Sequence, residues 1–467
     1  MSAPQPAGGE LRTLEANLRL SQSEYFLRRS YLRSMPRMLG LVLGNACNLD
    51  CPHCYQEKNG DNLLHPVQIG QQFRRELLSL YPYLSTLRVQ GGEVLAYRGF
   101  REIVEDVAAV TRRPLLSIST NGTLIDDEWA EKMVRLPFSS VTVSIDGGTP
   151  ETYAKLRRGS ELPLVLANVA RIRKWKEKLN SARPELDSFF VILRSNFREI
   201  PQYLELAREN GFVDVALQTA EFNRVNSTRE PVFAEQEAIA NYPGDVAELY
   251  ALTRDVLPRA REWFRIVRLS GLQSLFEKHG YDASFLRERE NGLYPDSADL
   301  STSAEGSFEL CPNPWTTLFV AENGNVHLCF LAEPVGNLYE APLVEIWNSP
   351  PALAKRLRMI RGAYMASGCS SRWCAWREGQ AASPMKAKAE PYIPVPVISE
   401  DSAGLPAVRR MLAGNNRRLH EAEQALRAMD EEFQRMRRSI LVRAAAHVAR
   451  KWERVKSRMA GIIARSR

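Results

Sequence analysis

The seven cysteines of this chain fall into two groups, Cys47, Cys51 and Cys54 within one short loop, and Cys311, Cys329, Cys369 and Cys374 spread over a later segment. Thiolates at such spacings are ligands for iron or zinc. Three of them, spaced Cys-x3-Cys-x2-Cys, can cap three corners of a cubane 4Fe-4S cluster. The fourth iron then lacks a protein ligand and stays open to a small molecule that approaches with amino and carboxylate groups. Four thiolates can close a cluster completely. Zinc is the competing occupant at both places: His53 could act as a fourth ligand beside the triplet, and the quartet could be a four-cysteine knuckle.

The triplet needs a rigid element behind it, and the chain around it alternates short apolar runs with longer helical patterns. Leu39 to Leu43, Thr86 to Val89, Leu115 to Ser119, Ser140 to Ile145, Phe189 to Leu193 and Val213 to Leu217 read as strands. Val67 to Leu80, Phe100 to Val110, Asp127 to Arg135, Leu164 to Leu179 and Ile200 to Asn210 read as the helices between them. Six such alternations predict an α/β fold, a partial (β/α)6 TIM-like barrel of parallel strands under covering helices. Loops beyond the carboxyl ends of the strands carry the chemistry of such barrels, and Cys47 lies just past the first strand. A helix is expected around Leu11 to Leu32. The turn Glu322-Asn323-Gly324-Asn325 predicts a hairpin between Thr317–Val320 and Val326–Phe330. The organisation expected is a helical segment (1–36), the barrel core (37–220), a mostly helical connection (221–310), a small Cys-rich α+β domain (311–377), a linker with four prolines (378–404) and a helical tail (405–467).

The loop Gly44-Asn45-Ala46-Cys47-Asn48-Leu49-Asp50-Cys51-Pro52-His53-Cys54-Tyr55 resembles the signature of the radical S-adenosylmethionine (SAM) superfamily, with His53 where an aromatic residue is usual. Gly91-Gly92-Glu93, one β/α unit later, is similar to the motif that receives the methionyl amino group in that family. Two glycines suit close backbone approach, and the Glu93 carboxylate can order the loop or accept a hydrogen bond. Thr120-Asn121-Gly122 and Ser144-Ile145-Asp146-Gly147 resemble its ribose-side loops. The resemblance implies that Ser144 bonds the ribose or the SAM carboxylate, and that Arg157 pairs with that carboxylate. Taken singly, Asp146-Gly147 also suits a plain turn and Arg157 a solvated helix charge. Residues from Cys311 to Cys374 resemble the SPASM/Twitch auxiliary-cluster extension of the same enzymes, the shorter form having one fully ligated 4Fe-4S cluster. Four residues lie between Cys369 and Cys374 where two are often found, so this pair departs from the pattern.

The resemblance implies reductive cleavage of SAM to a 5'-deoxyadenosyl radical that removes hydrogen from a substrate C–H bond, with the auxiliary cluster accepting the substrate-radical electron. It also implies an electron donor such as flavodoxin or ferredoxin. The substrate expected is a small molecule or glycan precursor, because about 36 residues precede the first strand, too few for the peptide-recognition domain of peptide-modifying maturases. A peptide side chain is the alternative substrate. Asp214, Glu221 and Glu322 are candidates for the proton acceptor that an alcohol oxidation needs, with no basis for choosing among them.

Composition is that of an ordinary globular protein, 44% hydrophobic and 25% charged over 467 residues. Clustered thiols without a disulfide framework, and no apolar run long enough for a membrane span or a secretory signal, place the expected location in the cytoplasm. Residues 405–467 hold sixteen Lys/Arg and six Asp/Glu, a charge of +10, which leaves 7 − 10 = −3 for the rest of the chain. Phe433, Met436, Ile440, Ala444, Val448, Trp452, Val455, Met459 and Ile462 form an apolar stripe on that basic background, suited to docking by one face, to a coiled-coil or other helical partner, or to an anionic membrane surface. Nucleic acid is disfavoured by the near-neutral body. Anaerobic purification separates the metal readings: iron, sulfide and a brown colour are expected, and a colourless protein containing zinc would refute the iron-sulfur assignment.

Overall fold

The computed structural model describes residues 14–54, 71–110, 114–220, 231–286, 311–329 and 332–361. Seven strands form a continuous parallel array: β1 (Met38–Val42), β2 (Thr86–Gln90), β3 (Leu115–Thr120), β4 (Phe138–Ser144), β5 (Glu185–Ile192), β6 (Asp214–Thr219) and β7 (Ile266–Ser270). The last lies in the stretch expected to be mostly helical. It follows a 21-residue helix, Pro243–Trp263, and adds to the edge of β6. β8 (Thr317–Val320), β9 (Asn325–His327) and β10 (Gly336–Asn337) complete a ten-stranded sheet of order β10-β9-β8-β1-β2-β3-β4-β5-β6-β7. The sheet is open, with β7 and β10 at its edges, so the core is a partial barrel.

Alternation along the strands sets the two faces. In β4, Val141 and Val143 are fully buried while Ser140, Thr142 and Ser144 on the opposite face are half-buried. In β3, Leu116 and Ile118 are buried, and Ser117 and Ser119 face the other way. The apolar face packs under helices whose buried residues recur at three- and four-residue steps, as in Phe100, Ile103, Val104 and Val107 of Arg98–Ala109, or Val165, Val169 and Ile172 of Leu162–Lys178. The polar face lines the concave lumen. Asp126 starts the helix Asp127–Arg135 by accepting the Trp129 N–H at 2.8 Å.

The Cys-bearing hairpin is not a separate sheet. β8 pairs in parallel with β1, Met38 opposite Thr317 and Leu41 opposite Val320. Gly40 of β1 makes the fit possible: a Cβ there would lie 2.4 Å from the Phe319 ring. All described residues belong to one compact unit, which the contacts do not divide near residue 311. The N-terminal helix Leu14–Phe26 and the segment after it seal this seam through buried polar groups. Asn17 bonds the Met35 backbone and the Tyr83 carbonyl, Glu24 accepts from Arg33 N, Ser34 N and Ser34 Oγ, and the Trp315 and Trp347 indoles donate to the Arg29 and Ser34 carbonyls at 2.7 Å.

Arg356, fully buried, donates to the carbonyls of Pro314, Ser30 and Trp347 and lies over the Trp347 ring. Burial pushes its guanidinium down to about 9, partly offset by Glu24. Arg356→Ala strands those carbonyls in a dry interior, so a loss on the order of 3–5 kcal/mol is expected in thermal or denaturant unfolding, where a change under about 1 kcal/mol would show that the contacts are dispensable.

Candidate radical-generating site

Cys47, Cys51 and Cys54 follow β1 at the carboxyl rim of the sheet, and the backbone of the next loop is what shapes theirs. Gly92 N donates to Gly44 O at 2.8 Å and Glu93 N to Ala46 O at 2.9 Å, extending the β1–β2 pairing past the ends of the strands. The contact leaves no room for side chains. A Cβ on Gly92 would lie 2.0 Å from Ala46 O, and one on Gly91 would lie 2.9 Å from Gly44 O. Both glycines are therefore required by the cysteine loop itself.

Glu93 ties in a third loop. Its fully buried carboxylate accepts Leu95 N (3.1 Å), Thr120 Oγ1 (2.7 Å) and Asn121 N (2.7 Å). Burial raises its pKa, and these donors oppose the rise. Asn121 then reaches the cysteine loop, its Nδ2 lying 2.9 Å from Asn48 Oδ1 and 3.7 Å from Cys47 Sγ. The Leu49 N–H also points at Cys47 Sγ, at 3.4 Å. Amide donors aimed at sulfur suit a thiolate bound to iron.

The fourth loop carries Asp146, whose carboxylate has no exposed surface. The His53 Nε2–H donates to Oδ2 at 2.9 Å, Arg157 Nε and Nη2 reach the same oxygen at 2.6 and 2.5 Å, and Val191 N donates to Oδ1 at 2.7 Å. Burial would raise this carboxyl, but Arg157 and His53 outweigh it and hold Asp146 down to about 2. Burial likewise works against the Arg157 cation; Asp146, then Cys51 and Tyr153, more than restore it, and its pKa lies above the ordinary value. Cys51 is pushed up to about 11 by burial, which Arg157 opposes and Cys54, Asp146 and Cys47 reinforce. Crowded, half-dry thiols of this kind ionise when a cationic metal group takes their charge.

The structure thus brings His53, Gly91, Gly92, Glu93 and Arg157 together around the triplet. Ser144 ends β4 two residues before Asp146, on the lumen face. Arg157 is not a solvated helix charge, because it is ion-paired to Asp146. Asp146 is not a plain turn residue but the centre of the cluster, and nothing in its one-residue context revealed this; the signal was its position just past a strand. Of the proton-acceptor candidates, Asp214 is occupied by Arg265 at 2.7 and 3.1 Å, Glu322 is exposed in the β8–β9 turn, and Glu221 lies outside the described residues.

Of the second group, Cys311 precedes β8 and Cys329 follows β9, and Asn313 Nδ2 lies 3.7 Å from Cys329 Sγ. Cys369, Cys374, the linker 378–404 and the tail 405–467 lie outside the described residues. Among the described residues no three His, Cys, Asp or Glu side chains converge where a single ion could sit. Each corner iron of a cubane takes its own thiolate, and the loop of Cys47, Cys51 and Cys54 supplies three. The donor set fits the cluster. Among the described residues no helix is long and apolar enough to cross a membrane.

Comparison with known proteins agrees with this geometry. Residues 41–182 match the radical SAM superfamily and residues 311–374 match an iron-sulfur cluster-binding domain, SPASM. The chain carries a radical SAM domain followed by a SPASM iron-sulfur cluster-binding domain. These domains imply a 4Fe-4S cluster with SAM at the first site and auxiliary iron-sulfur at the second. Among similar proteins, a probable GTP 3',8-cyclase of Methanocaldococcus jannaschii is 28% identical over 40% of this chain and 59% of its own length. An AdoMet-dependent heme synthase of Methanosarcina barkeri is 24% identical over 69% of this chain and 85% of its own. The chain spans about three-fifths of the length of that cyclase. The crystal structure of Streptococcus suis SuiB bound to precursor peptide SuiA matches with a TM-score of 0.48 and 14% identity, over 76% of this chain and 74% of that one.

Gly92→Ala forces the β2 loop off the cysteine loop. It is expected to lower the iron and sulfide bound after anaerobic reconstitution to the level of the Cys51→Ala protein; wild-type iron content in Gly92→Ala would contradict the packing argument.

Proposed function

We propose that this chain cleaves SAM reductively to methionine and a 5'-deoxyadenosyl radical, that the radical takes hydrogen from a substrate C–H bond, and that the substrate leaves oxidised by two electrons. The observation that carries this reading is the direct hydrogen-bond linkage of four loops, those of Cys47–Cys54, Gly91–Glu93, Thr120–Asn121 and Asp146, at one rim of the sheet.

When bound, the cluster at Cys47, Cys51 and Cys54 supplies the electron for sulfonium cleavage, and the cluster at Cys311, Cys329, Cys369 and Cys374 supplies an acceptor for the electron leaving the substrate. The protein's part is positioning. Gly91 and Gly92 shape the loop that receives the methionyl amino group, and Glu93 acts through the loops it ties together. Ser144 takes a ribose hydroxyl or the SAM carboxylate. Arg157 has more donors than Asp146 uses, and offers them to the same carboxylate. His53, fixed by Asp146, stands beside the third cysteine. Reduction needs a low-potential donor of the flavodoxin or ferredoxin kind.

Relatives named for GTP cyclisation and heme synthesis act on small molecules, which favours a small molecule or glycan precursor over a peptide side chain. The thiolate ligands favour a reducing compartment such as the cytoplasm.

Incubating the anaerobically reconstituted protein with SAM and dithionite should yield 5'-deoxyadenosine and methionine. Cys51→Ala should abolish both, whereas Cys329→Ala should keep SAM cleavage and lose substrate oxidation. Iron-loaded wild-type protein that forms no 5'-deoxyadenosine would overturn the proposal.

A further inference from the structure

The lumen face of the sheet holds a layer of side chains one inward step below Ser144. By strand register it comprises Ser119, Thr142, Asp187 and Asp214, with Asp187 opposite Thr142 on one side and Asp214 on the other. The two carboxylates in this layer are not alike. Asp214 is held by Arg265 at 2.7 and 3.1 Å and has Arg268 at 3.9 Å, and Arg265 also clasps Glu185 at 2.6 and 2.7 Å. Asp187 is only 7% exposed, yet its Oδ1 has no hydrogen-bond partner among the described residues, and Oδ2 has only the Thr142 hydroxyl at 3.5 Å.

A buried carboxylate oxygen left this way costs free energy that the fold recovers nowhere else in view. Burial, then the neighbouring Asp214, push Asp187 up to about 6; Arg268 and Arg265 work against this and Glu185 with it. Lys176 and Arg183 act on Glu185 rather than on Asp187. Arg268 and Arg265 therefore act on Asp187 through the field alone, while their contacts are on Asp214 and Glu185. The group lacks a cation of its own among the described residues, and its register places it on the same face of the sheet as Ser144.

We propose that Asp187 is a substrate-binding residue that receives a protonated amine of the substrate in the lumen. A cationic donor supplies both what Oδ1 lacks, a hydrogen bond, and what the layer lacks, a compensating charge. Placing that donor on the substrate rests on the radical SAM reading; the cation site itself does not.

The test uses the full-length reconstituted protein with ethanolamine as probe and ethylene glycol as its uncharged counterpart, read by thermal stabilisation at about pH 8, where a carboxylate of this pKa is ionised. Ethanolamine is expected to stabilise the wild type more than the glycol does, and Asp187→Asn, which keeps the shape, should bind it about tenfold more weakly, the scale of one charge-assisted hydrogen bond. Equal stabilisation of Asp187→Asn, or no preference of the wild type for the amine, overturns the proposal. The pH dependence without probe is a second measure. A carboxyl raised in the folded state contributes stability that is complete below about pH 4 and is lost as pH rises through about 6, so the wild type should fall relative to Asp187→Asn across that window and run parallel above it. Parallel curves throughout would mean that the carboxylate is already compensated, and would also overturn the assignment. Amine binding with no 5'-deoxyadenosine formation would sink the SAM chemistry and leave the cation site standing.

Discussion

Two backbone hydrogen bonds, Gly92 N to Gly44 O and Glu93 N to Ala46 O, set the geometry on which the site depends. They prolong the β1–β2 pairing beyond the regular strands, so the cysteine loop leaves the sheet in a direction dictated by its neighbour. Such pairing is possible only where no Cβ intervenes, which explains two consecutive glycines more directly than any ligand does. Everything added later, including the Glu93 bonds to Thr120 and Asn121 and the Asn121 amide near Cys47, builds outward from that junction.

Two fully buried carboxylates serve this rim by different means. Glu93 is surrounded by neutral dipoles, two N–H groups of the backbone and a hydroxyl, which fix direction without importing charge. Asp146 is met by a guanidinium and an imidazole, and its pairing keeps Arg157 charged close to the cysteine sulfurs. A neutral arrangement suits a hinge between loops, while a charged one places a cation where an anionic cofactor group would be oriented.

Much of the core was legible from residue patterns. The six expected strands and their helices form because each strand alternates a small or polar face with an apolar one, and each helix repeats apolar residues at three- and four-residue steps. What escaped was non-local. Ile266–Ser270 is a short run after a long helix with no turn signal, and it becomes a strand because the edge of β6 accepts it. The docking of β8 onto β1 depends on Gly40 making room for Phe319, a pairing between residues 279 positions apart. The role of Asp146 depends on His53, Arg157 and Val191 arriving from three other segments. Asp187 precedes the expected strand Phe189–Leu193, whereas β5 begins at Glu185, and only the register then assigns its face.

Because β8 runs parallel to β1, Cys311 and Cys329 fall beside the amino end of β1 while Cys47 lies past its carboxyl end. Cys311 and Cys329 thus lie toward one end of β1 and Cys47 beyond the other, about 15 Å of strand apart. A hydrogen-bonded ladder, rather than a hinge between modules, sets the spacing of these cysteines. That spacing is therefore fixed with the sheet itself and should not change with solvent viscosity.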